Sequence, residues 1–573
     1  MKPYNSKYKS QMKKIFLFIF ASFTFIQCAS VKSQTASSLT PQKTILETSQ
    51  TTTLNRPKLV VGIVIDQMRY DYLIKFYSKY GENGFKKLMN DGYNLQNVHY
   101  NYIPTYTAVG HTSIYTGTTP TNHGIIGNNW YDKFEKKSIY CVDDISYKTV
   151  GANKGGEKSP YRMLTTTITD QLKLAQNMNG KTIGISIKDR SAILTAGHTA
   201  NAAYWFEGGD TGKFITSTFY MNALPIWVNN FNNSGIANSY LEKIWDTYFD
   251  INTYTETIAD HNIFEEPFKG KESPSFPYDL AKLRKSNNNY DLLKAVAYGN
   301  DFTTDFAKAT ILGENLGKSE YTDFLSISYS STDYVGHQFG VDSKEVEDSY
   351  IRLDKNIEDL IIFLDTKVGK ANYTLFLTAD HAAVQVPSYL KTLKIPGGYF
   401  DNQKFKVLAN NITQTHFNSS ELIEDISNNQ LFLNKDKIKE LHLDILKVEQ
   451  VLVDELINFE NVYKTVSAHT LQSTTFSTGI LQTLQNGYNQ KFSGDVLFIP
   501  NPTTISYAQV GSTHGSGYSY DTHVPLLWYG WGIKKGSTRR ETYMTDIAAT
   551  LAAILKIQMP NGSIGKVIEE VIK

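Results

Sequence analysis

Pro104-Thr105-Tyr106-Thr107-Ala108-Val109-Gly110-His111-Thr112-Ser113 has the form of a bend into a helix, with Thr107 at its mouth. A threonine there can turn its hydroxyl and its backbone N–H toward one anion, and the positive end of a helix favours a phosphate at that spot. The hydroxyl is a weak nucleophile until a base or a metal ion lowers its pKa. Threonine is also an ordinary helix N-cap, so this stretch alone decides nothing. The weight comes from Asp66, Asp333, His337, Asp380, His381 and His514, with the cations Lys188 and Arg190 beside them in kind. Each follows or precedes a short apolar run. One such aspartate is often only a turn former; six acids and histidines at the ends of strands in one sheet call for a common cause.

Mixed carboxylate and imidazole ligation suits zinc better than calcium or magnesium, which prefer oxygen alone. The ligands divide into two groups. Asp333, His337 and His514 can hold one ion; Asp66, Asp380, His381 and the Thr107 oxygen can hold a second. Two ions about 4 Å apart clamp the attacking and leaving oxygens of an in-line displacement.

The elements that must position these residues are legible as strand–helix alternation. Lys58 to Ile65 is a continuous apolar run, the pattern of a strand buried on both faces, and it stops at Asp66. Thr182 to Ile187 runs into Lys188-Asp189-Arg190, Phe324 to Ser328 leads to Asp333 and His337, and Thr374 to Leu377 leads to Asp380-His381. His514 sits in the loop Gly511-Ser512-Thr513-His514-Gly515-Ser516-Gly517, ahead of a late strand at 523–529. Helices are expected from Thr107 to about Tyr115 with Gly117 as stop, over 166–177 with Ile168, Leu172 and Ala175 on one face, over 343–368, and over 546–555 capped by Thr545. This order argues for an α/β fold with a mostly parallel sheet covered on both sides, whose site lies beyond the carboxyl ends of the strands. Residues 208–320 and 390–500 read as insertions over that sheet, the second with a helix at 438–457 and a strand near 495–499.

The chain has 573 residues, 41% of them apolar, which is ample for a large core. Its net charge is +1 with no basic block, so nothing in it asks for nucleic acid as a partner. Residues 1–34 read as an export signal: Lys13-Lys14, then an apolar stretch from Ile15 to Ile26 that is short for a membrane span. Met12 is a more natural start than Met1. Cleavage near 29–34 is the favoured reading and acylation of Cys28, giving an outer-membrane lipoprotein, the second. Either predicts a periplasmic or secreted protein, and a monomer is expected. With Cys28 removed, Cys141 has no partner for a disulfide. Residues 35–55, rich in Ser, Thr and Gln, read as a linker.

Taken together, Asp66, the Pro-Thr-x-Thr at 104–107, Asp333-x-x-x-His337, Asp380-His381 and His514 resemble the alkaline phosphatase superfamily. The detail is most similar to its secreted, phosphate-irrepressible bacterial alkaline phosphatases, which share the type I phosphodiesterase/nucleotide pyrophosphatase-like fold. The likeness spans 56–573 and includes Val64-Ile65-Asp66-Gln67-Met68-Arg69, Ser186-Ile187-Lys188-Asp189-Arg190 and Met544-Thr545-Asp546-Ile547-Ala548. It implies an α/β/α sandwich with inserted cap segments and two zinc ions per chain. Thr107 is then the nucleophile, passing through a phosphothreonine. Asn128 donates its amide to a phosphoryl oxygen, and Lys188 and Arg190 bind the remaining ones. A monoester carries an extra charged oxygen that such a cationic pair rewards. His111, His123 and His523 are left as structural. A phosphodiesterase of the same superfamily is the alternative. No Cys- or Ser-x-Pro-x-Arg motif supports a sulfatase, and no lost ligand supports a catalytically dead binding protein.

Overall fold

The computed structural model describes residues 55–573. The expected signal at 1–34, with Cys28, and the expected linker up to residue 54 lie outside the described residues. Eleven strands form one sheet. Its principal members are β1 (Leu59–Ile65), β2 (Tyr93–His99), β3 (Thr182–Ser186), β4 (Ala202–Glu207), β5 (Lys213–Ser217), β6 (Asp323–Tyr329), β7 (Tyr373–Thr378) and β8 (His523–Gly530). Side by side they run β2-β8-β7-β1-β6-β3-β4-β5. The five central strands β7, β1, β6, β3 and β4 are parallel. β8 and β2 continue the sheet antiparallel on one side and β5 on the other.

The principal helices are α1 (Thr107–Thr116), α2 (Asp189–Ala196), α3 (Tyr298–Gly313), α4 (Ser331–Phe339), α5 (Lys344–Leu364) and α6 (Asp546–Leu555). Every residue of β1, β6 and β7 is buried, as central strands covered on both faces require; β1 carries no polar side chain, whereas β6 and β7 also bury Asp323, Ser326, Ser328, Thr374 and Thr378. Successive side chains of a strand leave on opposite faces. On β6, Ser326 meets Tyr115 of α1 at 2.7 Å, while Tyr329, of the other parity, meets Thr304 of α3 at 3.0 Å. Helices therefore cover both faces. α1 stops at Gly117, which takes the left-handed conformation (φ +66°) that glycine adopts without cost.

Several expectations need correction. The insertion expected at 208–320 is narrower, because β5 belongs to the main sheet and α3 packs on it. The second insertion holds a four-stranded antiparallel sheet made of Ile423–Ser427, Gln430–Leu433, Val462–Ser467 and Val496–Pro500. Its expected single helix at 438–457 is two, Lys435–Glu440 and Ile445–Leu456. His442 turns left-handed between them, and the Asp444 side chain caps the second by accepting from the Leu446 N–H. Ala175 is exposed, since its helix ends there after burying Ile168 and Leu172. Thr545 precedes α6 but makes no side-chain cap; the Asp546 carboxylate instead holds the Tyr543 and Lys566 N–H groups.

Candidate active site

The parallel order β7-β1-β6-β3 sets four carboxyl ends next to one another, in register from Val64 beside Thr378 to Ile65 beside Tyr329 and Ser328 beside Ser186. The residues just past those ends are Asp380 and His381, Asp66, Asp333, and Lys188. β8 runs the other way, so the loop that precedes it, carrying His514, opens at the same edge. Asp333 and His337 lie on α4, one turn apart and hence on one face, with His337 Nε2 at 3.2 Å from Asp333 Oδ1.

Among the described residues, ligand atoms come within 4.8 Å of one another in two groups: Asp333, His337 and His514, and Asp66, Asp380 and His381. The sequence reading groups the same six residues and adds the Thr107 oxygen to the second set. The donor chemistry fits cations. Each histidine gives its Nδ1–H to a carbonyl: His337 to Ser512 (2.7 Å), His514 to Thr105 (2.7 Å) and His381 to Ala382 (3.0 Å). Only a donor can face a carbonyl, so each Nε2 keeps its lone pair. Those lone pairs face carboxylate oxygens, His514 to Asp333 at 3.6 Å and His381 to Asp66 and Asp380 at 3.5 and 3.4 Å. Asp66 Oδ1 and Asp380 Oδ2 are fully buried without a hydrogen-bond donor. Acceptors that converge in this way are satisfied by a divalent cation. Burial holds the His381 imidazole below its ordinary pKa, and burial with the neighbouring His381 and His337 does so more strongly for His514, so both stay in the neutral, ligating form.

Thr107 is the first residue of α1, and the N-cap is Tyr106, without a side-chain cap bond. The Thr107 hydroxyl is therefore not used as a cap; it stands 3.5 Å from His381 Nε2. Asn128 accepts the Ala108 N–H through Oδ1 at 2.9 Å, which leaves its NH2 as the free half of the amide. Lys188 Nζ bridges the groups, 2.8 Å from Asp66 Oδ2 and 2.5 Å from Asp333 Oδ2. Arg190 touches neither group. Its Nη1 donates to Tyr140 Oη at 3.1 Å, and that hydroxyl donates to Asp189 at 2.6 Å.

Two further residues belong here: Gln67, which the sequence reading gave no role, and His111, which it took as structural. Gln67 holds both groups at once: its N–H donates to Asp380 Oδ1 (3.1 Å) and its Nε2 to Asp333 Oδ1 (2.8 Å), from a left-handed backbone (φ +68°). Its place beside Asp66, within the Val64–Arg69 run that carries the resemblance, was the signal for it. His111, one turn along α1, donates from Nδ1 to the Thr107 carbonyl at 2.8 Å and lies 3.2 Å from Asp380 Oδ2, tying the helix to a candidate ligand. His123 and His523 make contacts away from the ligands, with Ser113 and the Gln96 carbonyl.

Residues 60–524 match the model of the type I phosphodiesterase / nucleotide pyrophosphatase family. The chain is 47% identical over 524 residues to alkaline phosphatase PhoV of Synechococcus elongatus, covering 91% of this chain and 94% of that protein. It is 45% identical over 525 residues to a Myroides odoratus protein named calcium-transporting ATPase, covering 91% and 95%. To alkaline phosphatase PafA of Elizabethkingia meningoseptica it is 44% identical over 532 residues, covering 92% and 97%. The crystal structure of wild-type PafA superposes with a TM-score of 0.88 at 44% identity, covering 91% of this chain and 100% of that one. A fold and a residue pattern shared over nine-tenths of the length leave one conclusion: the chain belongs to the type I phosphodiesterase / nucleotide pyrophosphatase family of the alkaline phosphatase superfamily.

Proposed function

We propose that this protein is a secreted zinc-dependent alkaline phosphatase, a phosphoric monoester hydrolase that works through a phosphothreonine at Thr107. The observation that carries the reading is the Thr107 hydroxyl, free of capping duty and lying beside the His381, Asp66 and Asp380 group at the start of a buried ten-residue helix. Asp66, Asp380 and His381 would hold one zinc ion and Asp333, His337 and His514 the other. Bound there, such ions supply Lewis acidity toward the Thr107 hydroxyl and the phosphoryl oxygens.

The chain's own groups do the rest. Thr107 Oγ1 attacks phosphorus and the ester P–O bond breaks. The proton Thr107 gives up is balanced by the one the departing alkoxide takes. Water then attacks phosphorus, the Thr107 hydroxyl is restored and inorganic phosphate leaves. The positive end of α1 and the Asn128 NH2 stabilise charge on the non-bridging oxygens. Lys188 and Arg190 add two cations on the same edge, which favours a monoester dianion over a diester anion.

The family's name favours a second reading, hydrolysis of phosphodiesters. Membrane transport, the activity in the Myroides relative's name, finds no support: among the described residues no helix is long and apolar enough to cross a membrane. The deciding experiment compares phenyl phosphate with methyl phenyl phosphate on purified protein whose metal content is measured. About two zinc ions per chain, activity lost on chelation and restored by zinc, and a strong monoester preference are expected. Active protein without zinc, or a diester preference, would overturn the reading.

A further inference from the structure

Glu265 in the first insertion and Glu345 in the first turn of α5 bring two carboxyl groups together in the interior. Glu345 is 0% exposed and Glu265 3%. The two groups lie within hydrogen-bonding reach of each other. One oxygen of each is taken: Glu345 Oε1 accepts from the Tyr278 hydroxyl at 2.5 Å, and Glu265 Oε1 from the Asn262 NH2 at 2.6 Å. The other oxygen of each, Oε2, is buried without a donor. The charged neighbours that bear on the pair are themselves acids, Asp260 and Asp348. Lys344 and Lys271, the cations nearest Asp260 along with His261, turn their ammonium groups to the carbonyls of Tyr254 and Pro277.

Two carboxylates cannot both stay charged at hydrogen-bonding distance away from water. One proton held between them settles both free oxygens at once, because one carboxyl then donates and the other accepts. Burial first, and the neighbouring acids second, push both groups above the ordinary carboxyl range, the direction that keeps this proton. The segment it fastens braces one ligand group. The Glu266 N–H donates to the Gln338 carbonyl at 2.9 Å, and the Glu266 carbonyl accepts from Gln338 Nε2 at 3.0 Å, next to His337. The Phe264 carbonyl accepts the Gly511 N–H at 2.8 Å, where the loop that carries His514 begins. Residues 262–266 therefore touch the supports of both histidines in the Asp333, His337 and His514 group.

We infer that Glu265 and Glu345 form a proton-operated latch: the proton they share fastens residues 262–266 to α5, and its loss in alkaline solution releases that segment. The closed latch holds one proton more than the open one, in which each carboxyl returns to its ordinary range. Its contribution is complete below that range and fades as pH rises toward the raised pKa of the closed pair. Within that window the opening equilibrium should rise about tenfold per pH unit. Hydrogen–deuterium exchange of the purified protein, corrected for the intrinsic rate, reads this at the Glu266 amide. Its protection should fall about a hundredfold between pH 7 and pH 9. Glu265→Gln and Glu345→Gln each replace the shared proton by a fixed amide donor, and either should hold that protection level across the same range. Two variants are used so that one which does not fold leaves the other to carry the comparison. Protection that stays flat in the parent, or that falls as steeply in a folded variant, overturns the inference. Calcium added at pH 9 should change nothing; protection restored by calcium in the parent and not in the variants would assign the pair to a cation and overturn the latch.

Discussion

Gly110 lies against the backbone of Asp380: a β-carbon added to Gly110 would come within 2.1 Å of the Asp380 carbonyl oxygen. That contact sets how closely α1, with Thr107 at its start, can approach the strand end that carries two candidate ligands. An alanine would suit the helix better by about 1 kcal/mol. The neighbour it meets, however, is backbone and cannot swing aside. Gly110→Ala should therefore lower stability by about 1–3 kcal/mol, the usual range for overpacking. It should also cut phosphatase activity well beyond that loss. Urea unfolding and a kcat measurement on the folded variant check both halves; full activity would mean that α1 can shift without moving Thr107.

Thr107→Ala should abolish the covalent route while leaving the ligand groups, and so the metal content, in place. Thr107→Ser keeps a hydroxyl and should keep substantial activity. Acid-quenched enzyme mixed with a monoester should carry phosphate on residue 107, read by mass spectrometry of the peptide. Phosphate on another residue, or parent-level turnover by the alanine variant, would remove Thr107 as nucleophile.

Arg190 makes no contact with either ligand group, whereas Lys188 bridges Asp66 and Asp333. Arg190→Ala is thus the cleaner probe of substrate charge. A charge-assisted hydrogen bond is worth roughly 1.5–3 kcal/mol, so monoester kcat/KM should fall about ten- to a hundredfold. Diester hydrolysis should fall less, because one of its oxygens carries an alkyl group in place of the charge. Lys188→Ala should move the ratio the same way and change metal affinity as well, since its ammonium shares oxygens with the ligands. Equal losses for both substrates in Arg190→Ala would assign that residue to support of the fold.

Asp521 should make stability depend on pH. It is buried, and its carboxylate accepts from the Gly515 and Ser516 N–H groups and the Ser516 hydroxyl, next to the His514 loop. Burial outweighs these bonds and pushes its pKa up from 3.8 to about 7. A raised carboxylate holds its proton in the folded state where the unfolded chain has lost it. Its contribution therefore favours folding at low pH and is lost as pH rises from about 4 to about 7. Asp521→Asn removes that titration, so the difference in unfolding free energy between parent and variant should shift in the variant's favour across this window. A difference that stays flat with pH would show that Asp521 is ionised throughout.

The chemistry of this protein is written locally, and that part was legible. Asp66, Asp380 and Lys188 each follow an apolar run whose burial is a property of the run itself, so strand ends could be placed and the candidate ligands with them. That parallel strands share a carboxyl edge gathers the six candidate ligands at one place, whereas their grouping rests on distances that the packed structure sets. What lay between those runs was decided by tertiary structure. Strand order makes β7, β1, β6 and β3 neighbours, although Asp66 and Asp380 are over three hundred residues apart in the chain. Gln67 clamps both groups only because its left-handed backbone aims the N–H and the side chain at different strands. Lys188 meets Asp66 and Asp333 because β3 sits beside β6, a fact about register that no local pattern carries. The edges of the first insertion were set by tertiary pairing, since β5 joins the main sheet through β4 and α3 packs against β6. The stacking of Tyr507 on His337 was likewise decided by tertiary structure, because the two residues are far apart in the chain and only its packing brings them together.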